Sequence, residues 1–184
     1  MVDTFIANAN VDDLRSIVRS LLATNNPGLS ASFTHAARSR LHQTASKTSV
    51  NTYALFTLHS QTTSAAPTQH LHDVLVRART LYGAGMGFAS LKVLTSVIRA
   101  SLELQWEDDS DLSNLFAFID ADIGQAIQSS KEEIEGGRVS DWGIAHEIVD
   151  DLRGVVKESK KAVQVWGGEF PFERTASSLE YWKI

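Results

Sequence analysis

The sequence contains no cysteine, and this absence excludes several classes of function. Without thiols the chain cannot form a disulfide framework, an iron–sulfur cluster or a thiolate zinc site, and it offers no cysteine nucleophile. No Asn-x-Ser/Thr glycosylation acceptor occurs, and the first residues lack the basic start and apolar stretch of a secretory signal. We therefore expect a soluble protein of the cytoplasm.

Long apolar runs and basic clusters are also missing. No window approaches the roughly eighteen uninterrupted apolar residues of a membrane-spanning helix, so we expect no membrane association. The strongest basic run contains only Lys157, Lys160 and Lys161, and Glu158 interrupts it. Because binding to a nucleic-acid backbone needs a clustered basic surface, we expect no nucleic-acid partner.

The charge that is present is acidic and unevenly distributed. The net charge is −5, with nine basic and five acidic residues in 1–105 against eight basic and seventeen acidic residues in 106–184. The two halves could compensate each other in the folded chain. Alternatively, the acidic C-terminal half could meet a basic partner or a neighbouring subunit.

Apolar residues recur with a helical period along most of the chain, which predicts an all-α fold. The expected architecture is a bundle of about six or seven helices in a single domain, residues 1–184, with a long Ser/Thr-rich connection at 44–68. Segment 50–59 is predicted as helix, although its mixture of β-branched and aromatic residues also permits a strand. The other predicted helices begin after Asn10, after Ser30, near Thr68, at Phe88, near Ser110, at Ser140 and at Thr175.

Three short features are assigned to structure rather than to a site. Gly83, Gly85 and Gly87 are predicted as turn glycines between two helices. Gly124 lies within a periodic helix and predicts close packing of a neighbouring element. The acidic run 107–111 is interpreted as a helix-capping segment, because it lacks the ligand order of an EF-hand.

Histidines are the groups best suited to chemistry near neutral pH. His146 and Asp150 stand four residues apart on a predicted helix, so the carboxylate could orient the imidazole. His70 and His72 are the next candidates, at the start of another helix. His35 and His42 could form a cluster with His59 if the 44–68 connection folds over them. We expect no metal site and no cofactor.

These features leave two main hypotheses for function, and whether the protein is an enzyme stays open. The first is a helical binding protein that docks a protein partner or forms a homo-oligomer through its acidic C-terminal half and aromatic tail. The alternative is a cofactor-independent lyase, isomerase or cyclase, with acid–base chemistry by His146, His70 or His72 in an apolar pocket between helices. Non-catalytic carriage of an apolar small molecule in such a pocket is a third possibility. The tail aromatics are Trp166, Phe170, Phe172, Tyr181 and Trp182.

Overall fold

The computed structural model describes residues 2–45, 51–58 and 65–184, and within these ranges 75% of the structure is helical. The predicted all-α class is confirmed, and the eight helices found there are close to the predicted number. A short 3₁₀ turn at Thr52–Ala54 and two strands, β1 (Phe56–Leu58) and β2 (Ala65–Pro67), complete the described elements. The helices are α1 (Val2–Asn8), α2 (Val11–Leu22), α3 (Pro27–Ala45), α4 (Gln69–Gly83), α5 (Gly87–Ala100), α6 (Asp111–Glu135), α7 (Trp142–Trp166) and α8 (Glu173–Tyr181).

The chain forms two compact units, Met1–Gln43 and Thr44–Ile184. In the first unit, the predicted cap of α2 is confirmed, because the Asn10 side chain accepts a hydrogen bond from the Asp13 N–H at 2.8 Å. Helix α3 begins at Pro27 and not after Ser30, since the fixed φ of proline suits the first helical position. The single-domain prediction for 1–184 stays a prediction.

Helix α5 is the centre of the second unit. It packs against α4, α6 and α7, and nine of its fourteen residues are buried, as its almost uniformly apolar sequence predicts. Helix α4 also contributes a row of buried apolar residues to this core. They are Leu71, Val74, Leu75, Ala78 and Leu81. Helix α6 begins after Ser110, whose hydroxyl accepts from the Ser113 N–H at 3.2 Å.

Two helices of the second unit receive their N-terminal caps from α6 instead of from their own sequence. The Phe88 N–H of α5 donates to Glu133 Oε2 at 3.4 Å. In α8, Asp120 Oδ1 accepts from the Thr175 N–H at 2.9 Å and from the Thr175 hydroxyl at 2.6 Å. Local capping residues are absent at both starts, so α6 satisfies amide groups that would otherwise lack a partner.

The prediction of a helix at 50–59 is wrong for its described part, residues 51–58. A 3₁₀ turn leads into β1, which pairs antiparallel with β2 in the register Phe56↔Pro67 and Thr57↔Ala66. The Thr68 hydroxyl also donates to the Ala54 carbonyl at 2.7 Å and holds the turn against the start of α4. Residues 46–50 and 59–64 of the predicted Ser/Thr-rich connection lie outside the described residues.

The prediction of close packing at Gly124 is also wrong. A Cβ at Gly124 would meet no atom within 4 Å, whereas a Cβ at Gly87 would lie 2.6 Å from the Ser129 carbonyl carbon and closer still to the Ser130 nitrogen. Gly87 begins α5 beside the backbone of α6, whereas Gly124 lies inside α6 with no neighbouring element against it. The glycine predicted as a turn residue therefore lies at a close contact between α5 and α6.

Candidate functional site

His146 and Asp150 both lie on exposed positions of α7. The Asp150 carboxylate accepts from Arg153 Nη1 at 2.9 Å, and the His146 ring lies 6.5 Å from the Trp142 ring, centroid to centroid. With Glu147 and Asp151, Asp150 lines an open groove of 530 Å³ between α5 and α7, and His146 is not part of that lining. Their predicted acid–base pairing stays a prediction.

The remaining predicted histidines have different surroundings. His70 lies in the first turn of α4, where its Nε2 atom is buried and has no hydrogen-bond partner in the described part of the chain. His72 is exposed on the same turn. His35 and His42 are exposed on α3, and the cluster predicted for them depends on His59, which lies outside the described residues.

The aromatic tail is built largely into the second unit. Phe172 and Trp182 are buried, with Trp182 stacked 6.2 Å from Phe88 and Phe172 set edge-on to Phe116 at 5.9 Å. Tyr181 stays exposed, and Phe170 is half-buried with the Lys160 ammonium 5.2 Å from its ring centre. Two of the tail aromatics thus stabilise the fold, and their rings are not available to a partner.

The first unit, which consists of α1–α3, leaves many large apolar side chains exposed. No described residue in 2–44 is buried, although each of the three helices carries large apolar side chains. The exposed members are Val2, Phe5, Ile6, Val11, Ile17, Leu21, Leu29 and Phe33.

A buried carboxylate joins α4 to α6 in the second unit. Asp122 accepts hydrogen bonds from Arg79 Nε at 3.0 Å and from the Tyr82 hydroxyl at 3.0 Å, and it forms an ion pair with Arg79 Nη2 at 2.8 Å. Burial of the phenol, together with the negative charge and hydrogen bond of Asp122, raises the pKa of Tyr82 above its usual value. The hydrogen bond to Asp122 likewise raises the pKa of Arg79. All three groups satisfy one another, so the cluster is a structural link between helices.

An aromatic-walled cleft of 680 Å³ lies between β2, the segment that enters α6, and the end of α7. Trp106 and Trp166 form one wall, with ring centroids 5.0 Å apart and an angle of 81° between the ring planes. The buried Phe116 supports Trp106 from behind at 4.7 Å. The remaining lining residues are Ala65, Ala66, Pro67, Gln105, Glu107, Ser110, Asp111 and Leu112.

The sequence pointed to only part of this cleft. Trp166 was identified as a tail aromatic and the 107–111 run as a cap, but sixty residues separate Trp166 from Trp106. The missed signal is that Trp106 stands directly before the acidic run, which places an aromatic ring and carboxylates on one short segment.

Across 2–45, 51–58 and 65–184, no group of three or more histidine, aspartate or glutamate side chains is placed to hold a metal ion. None of the helices in those ranges combines the length and the hydropathy that a bilayer crossing needs. Comparisons of the chain with protein-family models, with curated proteins and with solved structures find no match.

Proposed function

We propose that this chain is a helical binding protein that forms a homo-oligomer through α1–α3. The observation that carries the proposal is the absence of any buried residue among the described positions 2–44, despite eight large exposed apolar side chains. Helices as short as α1 and α2 are marginal in water on their own, and most helical stability in proteins comes from covering an amphipathic face. An occupant of this face would supply that missing burial.

Helix α2 presents the best-defined part of the face. Leu14, Ile17, Val18 and Leu21 fall on one side of it, and Ile17 and Leu21 are 40% and 50% exposed. Complete burial of such a side chain contributes about 1.5–3 kcal/mol, and covering the exposed part of Ile17 or Leu21 contributes roughly half of that. A two-fold interface uses each of them twice, which makes α2 a strong contributor to association.

The charges of the first unit favour a second copy as the occupant. Residues 1–43 contain four arginines and three aspartates, so two copies carry little net charge to repel each other. Asp12 and Asp13 lie in the first turn of α2 and Arg19 in its last turn. Antiparallel pairing of two α2 helices would bring the acidic end of one near the basic end of the other.

This proposal moves the predicted docking surface from the acidic C-terminal half and aromatic tail to the N-terminal helices. Burial of Phe172 and Trp182 supports the move. The exposed positions of His146, Asp150 and His72 give the enzyme alternative less support than a binding role.

The test is the oligomeric state of the full chain by sedimentation equilibrium over a wide concentration range. We expect the Ile17→Glu, Leu21→Glu double variant to weaken association at least about a hundredfold, because four apolar contacts per pair are lost. Ser16→Glu adds charge to the opposite, polar side of α2 and serves as the matched control. Circular dichroism of each variant checks that the helices of the second unit persist.

A wild-type chain that remains monomeric at all accessible concentrations would overturn the proposal. Equal effects of the double variant and of Ser16→Glu would also contradict it, because charge alone would then explain the loss.

A further inference from the structure

We propose that the Trp106–Trp166 cleft binds an organic ammonium ion with apolar substituents, such as a quaternary or methylated amine. Two indole rings meet there at a near-right angle, and carboxylates of the preceding loop and of α6 line the same cleft. Aromatic faces attract alkylated ammonium groups through the quadrupole of the ring. The inference concerns the second unit alone and does not depend on association through α1–α3.

The charge of the lining selects for a cation. Glu107 and Asp111 are exposed, and neither carboxylate forms an ion pair within the described ranges. The described lining also contains no lysine, arginine or histidine. A cationic ligand would therefore meet negative charge without competition from a basic side chain.

The rings are held in place before any ligand arrives. Trp106 is 9% exposed and is fixed by Phe116 behind it. Trp166 lies across Gly168 so closely that a Cβ there would stand 2.7 Å from ring atom Cζ2 and closer to Cη2 and Cζ3. The Trp166 ring thus fills the space that a side chain at 168 would take, and it packs edge-on against Trp106. Because both rings already pack against other residues, little ordering is needed on binding.

The indole N–H of Trp166 is not one of the groups that a ligand would contact. Its Nε1 atom is buried and has no hydrogen-bond acceptor in the described part of the protein. Because this atom has no exposed surface, a ligand would contact the ring surfaces and the carboxylates that line the cleft.

The experiment titrates the full chain with choline and follows the indole N–H resonances of its four tryptophans by NMR. Neohexanol, the uncharged carbon isostere of choline, is the matched probe. We expect choline to shift the Trp166 resonance while Trp142, which is half-exposed at the start of α7 and outside the cleft, stays unchanged. Neohexanol should bind at least about fivefold more weakly.

Variants of the exposed carboxylates test the charge of the cleft without removing a buried contact. The Glu107→Gln, Asp111→Asn double variant should weaken choline binding about tenfold by calorimetry, since the cleft loses its negative charge. Asp108→Asn makes the same type of change on an exposed neighbour outside the lining and should have little effect. Gly168→Ala should also weaken binding about tenfold, because it displaces the Trp166 ring.

A short peptide with one trimethyl-lysine distinguishes the source of the ammonium group. Equal affinity for choline and the peptide indicates a free small amine, and clearly tighter binding of the peptide indicates a modified protein side chain; either result supports an ammonium site. Equal binding of choline and neohexanol would overturn the proposal. A Trp166 resonance that neither cation moves would overturn it as well.

Discussion

Replacement of Gly87 by alanine tests whether the close contact of this glycine with α6 contributes to the stability of the second unit. The new Cβ would lie 2.6 Å from the Ser129 carbonyl carbon, whereas ordinary van der Waals contact begins near 3.4 Å. Because the opposing atoms belong to the backbone of α6, no side-chain rotation relieves the overlap. The two helices would have to move apart here by about an ångström, which is the difference between 2.6 Å and ordinary contact.

The expected cost follows from what that separation disturbs. Overpacking of a core costs about 1–3 kcal/mol. Separation also weakens the cap from Glu133 of α6 to the Phe88 N–H of α5. Such a bond contributes about 0.5–1.5 kcal/mol. Alanine in place of glycine returns up to about 1 kcal/mol, because the unfolded chain loses conformational freedom, and we expect Gly87→Ala to destabilise the fold by about 1–4 kcal/mol.

Urea denaturation followed by circular dichroism measures this change, with a lower midpoint and an unchanged slope expected. Gly124→Ala is the matched control, because a Cβ there meets nothing within 4 Å in the interior of α6. It should stabilise the protein by up to about 1 kcal/mol. If both variants shifted the midpoint in the same direction, the steric argument for Gly87 would be refuted.

Three further predictions concern single groups of the second unit. Asp120→Ala should destabilise the protein by about 2–4 kcal/mol and speed hydrogen exchange in α8, because Thr175 loses two bonds; Asp120→Asn should cost less. Because the fold raises the pKa of Tyr82, the protonated phenol adds to the free energy of unfolding. This added stability is fully present below about pH 10 and is lost as the pH rises through the pKa of Tyr82 in the folded protein. Tyr82→Phe should remove that alkaline loss and the late phenolate absorbance, and an identical alkaline profile would contradict the assignment. His70→Phe should leave thermal stability equal or higher, because it removes a buried Nε2 atom that has no hydrogen-bond partner among the described residues, and a large decrease would reveal a partner for that atom.

Periodicity predicted the parts of the fold that depend on one long apolar face. The inner stripe of α4, the burial of α5 and the Ser110 cap of α6 all follow from residues close together in sequence. Short elements could not be predicted in this way, because they contain too few residues to show a period. A strand of three residues such as β1 has no measurable period, and α1 has only seven residues.

Features that join distant segments could not be predicted from the sequence. The sequence predicts Gly87 as a turn glycine and Gly124 as a helical one, but it does not show that the backbone of α6 lies beside Gly87. The caps supplied by Asp120 and Glu133 read in the sequence as ordinary helix carboxylates. The Trp106–Trp166 wall likewise exists only because α7 ends beside the start of α6.

The acidic run 107–111 shows how a correct local interpretation can leave a functional question open. Capping of α6 was predicted for this run, and the hydroxyl of Ser110 alone supplies the side-chain cap, at 3.2 Å from the Ser113 nitrogen. Asp111 lies in the first turn, where negative charge favours the helix by about 0.3–1 kcal/mol, and Glu107 lies outside the helix. Capping of α6 therefore accounts for the Ser110 hydroxyl and, in part, for the charge of Asp111. The charge of Glu107 beside two indole rings has no role in the helix, and this is why the cleft, rather than the helix end, is the place to search for a ligand.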